Sequence, residues 1–207
     1  MKIEQIKTLI KDYRNILNSG NSVTLNTLFQ DAEVISFESA RFTKLNFSHM
    51  YLFLGVENNK LVGFLVHDDR CYTKWDDTTE VFMAKFVKSK DSNVQDYSNN
   101  FKNTVSDQHE NYISVTVASK RIDTWKKTKR RWISNMVSKN TMVRFFEIPT
   151  AGFANAQVNH FSLGINDYTD VKLDISSHVD LVIENQTGLY DTVRPVPPFP
   201  RITRWPK

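Results

Sequence analysis

The chain has 207 residues, 40% of them hydrophobic and 12% aromatic, which is enough to bury a core without covalent staples. A single cysteine, Cys71, excludes an internal disulfide framework and a multi-cysteine zinc site, and a charged fraction of 24% argues against wholesale disorder. The formal net charge of +4 is compatible with an anionic partner without specifying one.

Ile3, Ile6, Ile10, Tyr13 and Leu17 recur at spacings of three and four, which predicts a helix over residues 2–18, closed by Asn18, Ser19 and Gly20. Charges interleave with its apolar positions, so it reads against a secretory leader. No stretch approaches the ~20 apolar residues that span a bilayer. The expectation is a cytoplasmic protein with no membrane span. A second short helix is predicted over 24–32, with Leu25, Leu28 and Phe29 on one side. Residues 33–48 fit no single pattern.

Residues 50–56 and 61–67 are almost continuously apolar and are joined by the polar run Glu57, Asn58, Asn59, Lys60. They predict a hairpin whose arms are buried on both faces. Residues 80–88 alternate, with Phe82, Ala84 and Phe86 on one side, and predict a third strand. Residues 89–110 are rich in Asn, Asp and Ser and read as a long loop.

Ile113, Val115 and Val117 alternate, predicting a strand over 111–118. A helix over 119–139 and a strand over 141–148, stopped by Pro149, would follow. That order allows a right-handed parallel crossover. Strands at about 158–165, 171–176 and 179–184 read as a meander. The expected fold is α+β: a largely antiparallel sheet with an N-terminal helix and one amphipathic basic helix packed on it. Residues 1–190 are expected to form one domain. Residues 191–207 hold most of the chain's 6 prolines and form a Pro-rich segment. Within it, Arg194–Pro200 has the form of a polyproline-groove ligand for a protein partner. The same density of proline also suits a rigid strap across the parent domain, anchored by Phe199 and Trp205.

The most informative segment is 118–140. Eight of its residues are basic and one, Asp123, is acidic, a local excess of +7, so the rest of the chain carries −3. At 100° per residue, Ile122, Trp125, Trp132, Ile133, Met136 and Val137 form one stripe, and Lys120, Lys127, Arg130 and Arg131 fall opposite. A solvated face is the ordinary reading of such a charge run. The functional reading is a set of phosphate contacts, in which each neutralised phosphate releases counterions and adds affinity independent of sequence.

Lys129 breaks the pattern by lying inside the apolar stripe, one turn from Trp125 and Ile133. Three placements are open for it. It can snorkel to water, stack on an indole, or meet an anion or carboxylate in a cavity.

His67-Asp68-Asp69-Arg70-Cys71 brings an imidazole, two carboxylates and a thiol to one strand end, but it reads as a polar turn after the hairpin rather than as a metal or nucleophile site. Asp170-Val171-Lys172 is a nuclease-like triplet, but Asp167 is too close in sequence to serve as its separate metal ligand. No Gly-rich phosphate loop or hydrolase motif is present. The sequence therefore implies no catalytic residue, metal or cofactor.

The resulting expectation is a non-enzymatic protein that binds an anionic partner, nucleic acid first, through Lys120, Lys126, Lys127, Arg130 and Arg131. One alternative is an assembly module using a sheet edge and the Pro-rich segment. Another is a small-molecule-binding protein or enzyme with a pocket at Trp125, Lys129 and Trp132.

Overall fold

The structure is a computed structural model and describes residues 1–38, 49–67, 72–91, 113–150, 153, 158–166, 178–185, 188–190 and 194–196. Three helices and nine strands are described, the strands forming two antiparallel sheets. The α+β expectation holds, with one change: the strands divide between two sheets rather than forming one.

Helix α1 (Ile3–Asn18) buries Ile6, Ile10 and Tyr13 along one stripe. Gln5 Oε1 accepts the Lys2 N–H at its start, and Gly20 ends it with a φ of 65°. Helix α2 (Ser22–Leu28) begins earlier than predicted because Asn21 Oδ1 accepts the Thr24 N–H at 3.0 Å. Strand β1 (Val34–Glu38) arises inside the segment that had no clear pattern.

The predicted hairpin is β2 (His49–Glu57) and β3 (Lys60–Val66). Asn58 and Asn59, with φ of 51° and 60°, make its two-residue turn, a left-handed geometry that Asn tolerates and that matches strand twist. Strand β4 (Val81–Lys85) pairs with β3, and β5 (Phe145–Pro149) pairs with β2, both antiparallel. The five-stranded sheet is completed by β9 (Arg194–Val196), giving the order β4-β3-β2-β5-β9. The four-stranded sheet has the order β1-β6-β7-β8, with β6 (Val158–Asn166), β7 (His178–Asn185) and β8 (Gly188–Tyr190).

The expected strand at 111–118 is corrected. Helix α3 spans Val115–Ser138, and Ser114 caps it by accepting the Val117 N–H at 3.3 Å. Ile113, Val115, Ala118 and Ile122 pack beside Val182 and Leu189. The apolar spacing that matters is therefore helical, and the alternation of β-branched residues misled because it coincides with the first turn. The parallel crossover falls with it, since every described strand pairing is antiparallel. The strand predicted at 141–148 is also shorter. Met142 and Val143 are buried but irregular, and Pro149 lies within β5, opposite His49. The strand expected at 171–176 lies outside the described residues, as do 92–110 of the expected loop.

Strand alternation sets the layers. Leu52 and Leu54 of β2, Leu61 and Leu65 of β3, and Phe146 and Ile148 of β5 meet Phe161, Leu163, Leu181 and Ile183 of the other sheet in the main core. The opposite face of the five-stranded sheet, with Phe53, Phe64 and Phe145, packs on Ile6 and Ile10 of α1 and on Trp75. The outer face of the four-stranded sheet takes the first half of α3. Gly164 permits that contact, because a Cβ there would stand 3.1 Å from Arg121 Cβ. The second half of α3 leaves the sheet and buries Trp125, Trp132, Ile133 and Met136 with Leu25, Leu28 and Phe29 at the end of the sandwich.

Candidate polyanion-binding face

Helix α3 meets the protein with one side and water with the other, and the division follows the predicted stripe. Lys120, Lys126, Lys127, Arg130 and Arg131 are all exposed. Lys120, Lys127 and Arg131 are spaced by seven and four residues, so they project within about 40° of one another and cover about 16 Å of helix axis. Lys126 and Arg130, one turn apart, form a second row toward α2. Next along it, Ser134 meets Asn26 Nδ2 at 3.3 Å. Among the described residues no carboxylate forms an ion pair with Lys126, Lys127, Arg130 or Arg131. Their charge is left facing solvent, where it can attract phosphates.

Arg121 belongs to the same charge run but faces the other way. Its Nη1 lies 3.4 Å from Asp180 Oδ2, and the Asp180 side chain is 2% exposed. This guanidinium is committed to the outer face of the four-stranded sheet.

The apolar stripe is core. Trp125 is fully buried and Trp132 nearly so, their rings edge-to-face at 6.0 Å, and Phe29 meets Trp125 edge-on at 5.8 Å. Trp125 Nε1 donates to Ala32 O at 3.0 Å. One turn later Lys129 Nζ donates to Gln30 O at 2.5 Å and lies 3.8 Å from Glu33 Oε1. Of the three placements open to Lys129, the carboxylate contact is the one seen. It occurs in a packed seam just beyond the end of α2, where the helix dipole favours a cation. Trp125, Lys129 and Trp132 thus spend their surfaces on the protein's own packing.

The titration of this seam follows from its burial. Desolvation pushes the Lys129 pKa down, partly opposed by Glu33 and Asp31. Burial alone would raise Glu33. The Ser89 N–H and hydroxyl, at 3.0 and 2.9 Å, together with the charges of Lys129 and Lys126, outweigh it and hold the carboxylate below its ordinary range. Linear spacing hides Gln30, Glu33 and Ser89 as partners, since they stand 40 to 100 residues away in sequence. The Trp132 indole N–H and Asn26 Oδ1 are buried without partners among the described residues.

Of the other sequence candidates, His67 Nδ1 lies 4.0 Å from Glu80 Oε2 across the β3–β4 pair. Residues 68–71 lie outside the described residues, as do Asp167 and the Asp170-Val171-Lys172 triplet. Among the described residues no three His, Cys, Asp or Glu side chains cluster as metal ligands would. No described helix is long and apolar enough to cross a membrane. Of Arg194–Pro200, residues Arg194–Val196 form β9 on the β5 edge, and the rest lies outside the described residues.

The fold and site define a two-sheet antiparallel α+β protein that presents one basic helix to solvent. No known protein family, characterised protein or solved structure matches this chain.

Proposed function

We propose that this protein binds nucleic acid without regard to sequence, in a cytoplasmic setting and without catalysis, by laying the outer face of α3 along a phosphate backbone. The observation that carries the reading is the separation of roles on α3. Trp125, Ile133 and Met136 hold the helix in the core, while Lys126, Lys127, Arg130 and Arg131 face solvent with no carboxylate paired to them among the described residues. Lys120 and Arg131 are about 16 Å apart along the axis, which suits an extended polyanion better than a single small anion. Lys and Arg dominate this face, and phosphate contacts of that kind position a backbone without reading bases.

The test is fluorescence-polarisation binding of labelled single- and double-stranded oligonucleotides across a salt series. Affinity is expected to fall steeply with salt. It should be lost in the triple charge reversal Lys127→Glu, Arg130→Glu, Arg131→Glu, with the circular dichroism and unfolding midpoint retained. A folded triple variant that binds as the wild type does would overturn the reading.

A further inference from the structure

A second segment of the chain is tied to α3 along its basic side. After β4 the chain runs beside the stretch that joins α2 to β1. Glu33 and Val34 both donate their N–H to Val87 O, at 3.1 and 3.0 Å, and the Val87 N–H donates back to Val34 O at 2.9 Å. Two residues further on, Glu33 Oε2 accepts the Ser89 N–H and hydroxyl, while Glu33 Oε1 faces Lys129 of α3 at 3.8 Å. One carboxylate thus joins α3 to the short helical turn Ser89–Asp91, and Lys90 follows the anchored Ser89 on that turn. On α3, Lys126 stands three residues before Lys129 and Arg130 directly after it, so both border the same seam.

The charges along this seam do not cancel. Glu33 is spent on Lys129 and Ser89, and Asp31 Oδ1 meets Lys88 Nζ at 3.0 Å. Lys90 is exposed and has neither a carboxylate nor a hydrogen-bond acceptor among the described residues. Lys90, Lys126 and Arg130 therefore face water from two segments with their charge unanswered by any described side chain. The turn beneath Lys90 is held by the Val87 and Ser89 hydrogen bonds, so seating a ligand on it costs little ordering of the backbone.

We propose that the phosphate-binding face extends off α3 onto Lys90, so that a nucleic-acid backbone crossing Lys126 and Arg130 continues over the turn Ser89–Asp91. This rests on the reading of α3 given above and widens its footprint to a second segment. Lys88 stands at the margin, its charge already shared with Asp31. A single row of cations lets a backbone slide along the helix. Phosphate contacts from two segments fix how the backbone lies across it, still without reading bases.

The experiment uses the full chain and the labelled oligonucleotides of the salt series, with Lys90→Gln compared to Lys11→Gln. Lys11 is an exposed lysine of α1, so its variant makes the same change in net charge on another element. Lys90→Gln should weaken binding by about threefold or more at low salt and reduce the salt slope by about 1, while Lys11→Gln leaves the slope as it is. A second readout is acetylation of lysines by an activated ester, mapped by mass spectrometry. Oligonucleotide should protect Lys90 and Lys126 but not Lys11. Either an unchanged slope in folded Lys90→Gln or equal labelling of Lys90 with and without oligonucleotide overturns the extension. If the triple charge reversal on α3 leaves binding intact, the reading of α3 fails and the extension with it. Binding lost in the triple variant but unaltered in Lys90→Gln removes the extension alone, so the two failures are distinguishable.

Discussion

Trp125 and Lys129, one turn apart on α3, donate to the carbonyls of Ala32 and Gln30, so a single helical step in one element is matched by a two-residue step in the segment after α2. The pairing fixes both the height and the rotation of α3. A rotation that moved either donor would strand it in the core, and it would also turn the exposed basic rows.

The Lys129–Glu33 contact should be measurable as a coupling. Lys129→Met, Glu33→Gln and the double variant, followed by urea unfolding, are expected to show a favourable interaction of about 1 kcal/mol. Both side chains are mostly buried, at 14% and 17% exposure, so solvent screening removes only part of it. A coupling near zero would mean that the Gln30 carbonyl alone holds Lys129.

Tyr13 should set an alkaline limit on stability. Its hydroxyl donates to Val143 O at 2.9 Å in a fully buried site, and burial pushes its pKa well above the ordinary 10.0. Above pH ~10 the unfolded chain loses this proton while the folded chain keeps it. The contribution is therefore full below that pH and is lost as pH rises beyond it. Tyr13→Phe should lose about 1 kcal/mol at neutral pH but show a flatter decline between pH ~9 and ~11, followed by urea midpoints. An unchanged alkaline slope would count against this role.

His160 should act at the other end of the scale. Its Nδ1 lies 2.7 Å from Ser36 Oγ on β1, its register partner on β7 is Glu184, and burial pushes its pKa down. Below pH ~6.5 the unfolded chain takes up a proton that the folded chain resists, so stability falls as the medium is acidified through that range. The difference in urea midpoint between wild type and His160→Gln should narrow from pH 7 to pH 5. A constant difference would show that the ring titrates normally in the fold.

Gly55 should tolerate no side chain. A Cβ there would stand 2.6 Å from Phe64 Cε2 and 3.2 Å from the Leu9 backbone of α1. Gly55→Ala is expected to destabilise by about 1–3 kcal/mol, read by denaturant unfolding, because the helix would have to lift. Little change would mean that α1 can slide on the sheet at small cost.

How much of this was legible in the sequence depended on whether the deciding contact was local. The α1 stripe, the β2–β3 hairpin and the two-sided character of α3 follow from spacing alone, because each is decided within a few turns. The start of α3 was misread, since Ile113, Val115 and Val117 satisfy a strand period while Ser114 caps a helix. The division into two sheets has no local signal: β1 pairs with β6 through the match of Ser36 to His160, 124 residues apart. The five exposed cations were readable as a charge run. The contact of Lys129 with Gln30 and Glu33 was not, because nothing in either segment announces the other.

Strand β9 has a consequence for how the chain must be put together. The β5 strand is flanked by β2, made early, and by Arg194–Val196, made more than 40 residues after it. The smaller sheet likewise waits for β6 before β1, until then bridged only at Val34 to Val87, gains its strand pairing. During synthesis, one row of β5 amides and carbonyls therefore stands open until almost the whole described chain has emerged. Such distant pairings close slowly, and the interval leaves an apolar strand edge exposed to other copies. Crowded expression at high temperature, rather than any weakness of the finished fold, is where this protein should be most prone to loss.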